Sequence, residues 1–180
     1  EHATTGSSNT AMGYGALNAN TTGANNTAMG SAALDACTTG SNNTAIGNTA
    51  LGALTTGNNI TAEANTFLGA FAGENTNNVD HCIAIGRAAM LGVDGSTTGN
   101  NNIAIGYNSM LAITTGTENV ALGRLSLDAN TTGGNNVAVG NEALGANTTA
   151  ANNTAVGYLS LGANTTGITN TAMGSAALAA

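Results

Sequence analysis

Residues 101–109 read NNIAIGYNS, and close variants return as NNTAMGSAA at 25–33, NNVAVGNEA at 135–143 and NNTAVGYLS at 152–160. The Gly inside each phrase sets a marker at 13, 30, 47, 69, 86, 106, 123, 140, 157 and 174. Its spacings are 17, 17, 22, 17, 20, 17, 17, 17 and 17 residues, so seven of nine intervals are identical. A fixed short period identifies a repeat architecture. Seventeen residues are too few for ankyrin, tetratricopeptide or leucine-rich units, and the calcium-binding GGxGxD pattern is absent. The length suits one turn of a narrow β-solenoid, expected here as two strands of about five residues joined by two turns. The predicted fold is therefore all-β: a parallel β-solenoid of about ten rungs, on the order of 45 Å long, forming one array over residues 1–180.

Each position in the unit has its own chemistry. The residue before the marker is always aliphatic, as in Met29, Ile46, Ile85, Ile105, Leu122 and Val139. Two before it stands Ala in nine repeats, with Phe67 the exception, and three before it a β-branched residue. Alternate side chains on a strand point to opposite faces. The aliphatic pair is expected to face the interior, with Ile105 buried, and the Ala file to face outward against another chain. A second apolar file, four after the marker, runs through Leu34, Leu51, Met90, Met110, Leu127, Leu144 and Leu161 and is interrupted by Gly73. Asn stands four before the marker in nine repeats, broken by Cys82, and is expected to stack into a hydrogen-bonded ladder. Thr-Thr-Gly corners supply the turns.

Composition limits function. Only 6% of residues are charged, against roughly 25% in ordinary soluble domains, yet a 42% hydrophobic content with regular spacing does not fit disorder. A net charge of −7, with Arg87 and Arg124 the only cations besides His, argues against a nucleic-acid partner. No run approaches the ~18 apolar residues of a membrane helix. The chain opens inside a repeat and reads as a fragment of a longer protein.

Residues 102–109 (Asn102-Ile103-Ala104-Ile105-Gly106-Tyr107-Asn108-Ser109) resemble the NSVAIGxxS signature of trimeric autotransporter adhesin heads, the YadA-like head repeats, with one residue fewer between Asn and Ala. Asn119 to Ser126 is nearly as close, and NNTAVGYLSLGANTTG at 152–167 is similar to repeats of phage and algal-virus tail fibres. The resemblance implies a left-handed β-roll, a homotrimer, and an extracellular, cell-surface or virion-borne fibre that attaches to a host receptor or glycan. The unit is longer than the usual adhesin-head repeat, and Ser three after the marker is often Ala (Ala16, Ala33, Ala50). Autotransporter and viral fibre both remain open.

No catalytic constellation, cofactor site or metal site is read. Residues 58–99 hold both insertions, both Phe residues and four of the nine carboxylates, and are expected to form a projecting collar. Glu63, Glu74, Asp80, His81 and Asp94 are its candidate contact residues, as donors to calcium or a glycan, although a tolerated insertion without a ligand is the simpler expectation. Asp80-His81-Cys82 lacks the spacing of a metal or nucleophile site. Cys37 and Cys82 lie too many rungs apart for a disulfide. Asn-x-Thr sequons at 20, 25, 42, 59, 130, 147, 152 and 164 follow from the turn composition. An ice-binding solenoid is the alternative function. It is disfavoured because adjacent Thr-Thr pairs do not form the Thr-x-Thr file that a flat ice-binding face requires.

Overall fold

A computed structural model describes residues 5–52, 62–93 and 96–179. Ten parallel strands form a single sheet in chain order: β1 (Thr10–Met12), β2 (Thr27–Met29), β3 (Thr44–Ile46), β4 (Thr66–Leu68), β5 (Ile83–Ile85), β6 (Ile103–Ile105), β7 (Val120–Leu122), β8 (Val137–Val139), β9 (Thr154–Val156) and β10 (Thr171–Met173). Every strand pairs with the next rung at the same repeat position, for example Ala104 with Ala121 and Ala121 with Ala138. The chain is a β-solenoid, and its period is the rung.

Each described rung carries one three-residue strand rather than the two five-residue strands expected from the repeat length. The opposite wall consists of turns. Its residues two and four after the marker have positive φ, as at Leu125 (54°) and Leu127 (50°), which β structure excludes. Rungs are still joined there by backbone hydrogen bonds: Leu127 N donates to Ala143 O (3.1 Å) in the next rung and Leu125 N to Tyr107 O (3.0 Å) in the preceding one. The marker Gly is required twice over. Gly123 has φ 144°, which L side chains rarely adopt, and a Cβ there would strike the Gly140 carbonyl of the next rung.

The strand parity is the reverse of that expected. Ala28, Ala45, Ala84, Ala104, Ala121, Ala138 and Ala155 have 0% exposure, whereas Ile103 and Ile105 are half-buried and Leu122 is 44% exposed. The Ala file faces the core, and the β-branched and aliphatic files face outward. The cause is space. The Leu–Met file of the opposite wall is buried as expected at Leu34, Leu51, Met90, Met110, Leu127 and Leu144. It fills a narrow lumen so completely that the facing strand has room only for a methyl group. At the rung where Phe67 takes the Ala place, Gly73 takes the Leu place, and a Cβ on Gly73 would lie 2.7 Å from Phe67 Cε2.

The Asn ladder forms as expected and is buried. Asn119 N and Nδ2 donate to Asn102 Oδ1 (3.0 and 3.1 Å), and Asn119 Nδ2 also reaches Gly133 O (2.9 Å). Asn136 repeats the pattern on Asn119. Cys82 carries the same connections through sulfur: its N donates to Asn65 Oδ1 (2.9 Å), its thiol to Gly99 O (3.5 Å), and its Sγ accepts from Asn102 N (3.5 Å). A second ladder, not anticipated from the sequence, runs through Asn130, Asn147 and Asn164, with Asn147 Nδ2 donating to Asn130 Oδ1 (3.0 Å). Cys37 stands at the equivalent position, its thiol directed to Gly40 O as Asn130 Nδ2 is directed to Gly133 O. Both cysteines are free and buried, and loss of hydration pushes each thiol up to about 11.

Candidate functional site

Three surfaces could make contact with something other than this chain. The first follows from the strand parity. Ile83, Ile85, Ile103, Ile105, Val120, Leu122, Val137 and Val139 form an outward strip of eight aliphatic side chains over four successive rungs, all half-buried or exposed. Thr replaces the first residue of the pair in the remaining rungs, at Thr10, Thr27, Thr44, Thr66, Thr154 and Thr171. A three-residue strand is ~10 Å wide and ten rungs are ~45 Å long, so the whole sheet face amounts to several hundred Å². The four-rung strip is part of that face, and the second outward position stays aliphatic in every other rung, from Met12 to Met173; exposed apolar surface that is contiguous in this way marks an interaction site.

The second surface is the set of side chains expected to act together, and the fold separates them. Glu63, Asp80 and His81 lie on one corner. There Glu63 N donates to Asp80 Oδ1 (2.9 Å), His81 N to Glu63 O (3.0 Å) and Asp80 N to Asn100 Oδ1 (2.9 Å). Glu74 belongs to a different corner, five residues after its marker, beside Asp35 and Thr49. Burial pushes its carboxyl up, a hydrogen bond from Thr49 offsets part of that, and the charge of Asp35 adds to it. Asp94 lies outside the described residues. Among the described residues no three His, Cys, Asp or Glu side chains come together as a metal site. Residues 62–93 do not leave the stack, since β4 and β5 pair in register with their neighbours and Thr76 bridges Thr97. The inserted residues themselves fall largely in 53–61 and 94–95, outside the described residues.

The exposed corner one residue after the marker varies from rung to rung, and its variety is informative. All three Tyr (Tyr14, Tyr107, Tyr158) and both Arg (Arg87, Arg124) occupy this single repeat position. Tyr14 is 90% exposed, Tyr107 44% and Tyr158 51%. Arg124 Nη1 pairs with Glu142 Oε1 (3.1 Å) and donates to Asn141 Oδ1 (3.4 Å) at the surface. Arg87 instead lies over two rings, 5.5 Å from the Phe71 centroid and 5.7 Å from that of Tyr107. Tallying residue types by repeat position would have exposed this concentration in the sequence.

Among the described residues no helix is long and apolar enough to cross a membrane. Comparison with protein-family models, with characterised proteins and with solved structures returns no match.

Proposed function

We propose that the chain is a structural and adhesive fibre module that works as a homotrimer at a cell or virion surface. The carrying observation is the outward aliphatic strip from Ile83 to Val139. A file of Ile, Val and Leu on a rod with so few charges is stabilised most by a second apolar surface of the same shape, and a second copy supplies one. The buried Ala file gives no support to an intermolecular contact, so association rests on the opposite face from the one expected. The resemblance of residues 102–109 and 119–126 to adhesin-head repeats agrees with this reading. A rod with uniform rungs is also suited to holding binding groups at a distance from the surface that bears them.

Sedimentation equilibrium tests the proposal. The parent chain is expected to be trimeric at micromolar concentration, and Ile103→Glu/Ile105→Glu monomeric with an unchanged circular dichroism spectrum. A parent chain that is a stable monomer would overturn it. Adhesion of the parent to host cells, lost in the monomeric variant, tests the attachment role.

The ice-binding reading gains one observation, the outward file Thr10, Thr27, Thr44 and Thr66. It loses more to Ile83, Ile103, Val120 and Val137, which interrupt that file in the middle of the rod. Thermal hysteresis in the parent chain separates the two readings.

A further inference from the structure

Arg87 borders a surface groove of about 340 Å³, within the ~300–1,000 Å³ range of small-ligand sites. Phe71, Leu91 and Leu111 give it apolar walls, and Glu74, Arg87 and Asn108 add polar groups. Its lining is particular to these rungs. Five residues after the marker only these two rungs carry Leu, and two after it only this one carries Phe. In a repeat protein the place where the unit departs from its pattern is where a ligand site is built.

The polar groups keep hydrogen-bonding capacity that the fold does not use. Arg87 makes no ion pair among the described residues, unlike Arg124. Its guanidinium is oriented by the Phe71 and Tyr107 faces, which leaves its planar N–H donors for a ligand. Asn108 Oδ1 is shielded from solvent and has no hydrogen-bond partner. Rotation of that carboxamide would offer the groove an acceptor that currently satisfies nothing. Glu74 is a second acceptor, little exposed at 9%.

We infer that this groove binds a neutral saccharide, one pyranose ring deep. A sugar has an apolar C–H face to lie against Phe71, Leu91 and Leu111, and an edge of hydroxyls that both donate and accept. Those hydroxyls match the guanidinium donor and the Glu74 and Asn108 acceptors. A wholly apolar ligand would bury the charged groups without partners. An anionic ligand would meet the Glu74 carboxylate and a chain of net charge −7. Neutral polyol chemistry satisfies every group lining the groove. The inference deepens the adhesive reading by naming what is gripped, but binding in the groove does not require the fibre to be a trimer.

The test is saturation-transfer NMR, followed by calorimetric titration, on the full chain with the methyl glycosides of glucose, galactose, mannose and N-acetylglucosamine. At least one is expected to bind, and Arg87→Ala and Phe71→Ala to weaken that binding tenfold or more, while Arg124→Ala leaves it unchanged. Arg87 is exposed, so the Arg87→Ala result stands even if Phe71→Ala fails to fold. Three outcomes overturn the inference: no binding by any of the four, binding unchanged in Arg87→Ala, or stronger binding of methyl glucuronide than of the neutral glycosides. A trimeric parent that adheres to cells yet binds no saccharide would remove the groove and leave the fibre reading standing. A monomer that binds a glycoside through Arg87 would do the reverse.

Discussion

The exchange of Phe67 and Gly73 within one rung makes a quantitative prediction. In the nine other rungs the strand contributes Ala and the opposite wall Leu or Met; here the strand contributes Phe and the wall Gly. Phe67 is wholly buried, so Phe67→Ala is expected to cost ~3–5 kcal/mol through lost transfer and the cavity left behind. At Gly73 a Cβ would meet Phe67 Cε2 at 2.7 Å, Cδ2 at 2.9 Å and Cζ at 3.1 Å, so Gly73→Leu overpacks the rung by ~3 kcal/mol or more. The backbone itself does not object, because Leu51 and Met90 hold the same left-handed conformation in the adjacent rungs. Phe67→Ala/Gly73→Leu therefore rebuilds the ordinary rung and should lie within ~1.5 kcal/mol of the parent. The coupling is then on the order of 5–8 kcal/mol, above the ~0.5–3 kcal/mol usual for touching residues, because one side chain's volume has moved across the lumen. Urea unfolding followed by circular dichroism at fixed protein concentration measures the four stabilities. Hydrogen exchange at the β4 and β5 amides reports the same change locally, should the array unfold piecewise. A double variant no more stable than the worse single variant would refute the idea that the lumen is filled by complementary volumes.

Asn119→Ala should cost ~3–5 kcal/mol in the same assay, since it removes buried bonds to Asn102, Gly133 and Asn136 and strands their partners. Asn119→Cys should cost less than half of that, because Cys82 already carries the ladder through sulfur. Native protein at pH 8 is expected to resist iodoacetamide at Cys37 and Cys82, whose thiols are buried and pushed up to about 11, and to react at both once unfolded; rapid native alkylation counted by mass would contradict the burial. Burial also raises the carboxyls of Asp35, Glu74 and Asp128 above the ordinary 3.8 or 4.5. Their protonation favours the folded state, so stability is gained as pH falls through the raised values and is complete below the ordinary ones. The thermal midpoint should accordingly hold or rise from pH 7 to pH 4, and a steady fall over that interval would contradict the sign.

The period, the parallel register, the Leu file and the first Asn ladder were legible because each repeats at one residue type per rung. The strand parity was not, and the reason is physical. Hydrophobicity ranks Ile and Val above Ala, so a strand written Ile-Ala-Ile appears to bury its two large residues. That ranking ignores the opposite wall, which already supplies a Leu or Met per rung to a lumen only one side chain wide. The sequence did contain the deciding signal, in variance rather than hydrophobicity. The outward position exchanges Thr10 for Ile83 or Val120 freely, and its partner exchanges Met12 for Val139, while the Ala position stays Ala and the opposite wall keeps Leu or Met. The Ala position changes once, at Phe67, and there the Leu position changes with it. A site that tolerates polar and apolar residues alike is not confined by packing, whereas one that changes only together with a residue across the lumen is. By the same criterion the position after the marker, which moves among Tyr, Arg, Asn and Ser without consequence for the rung, is the one the fold leaves free for recognition.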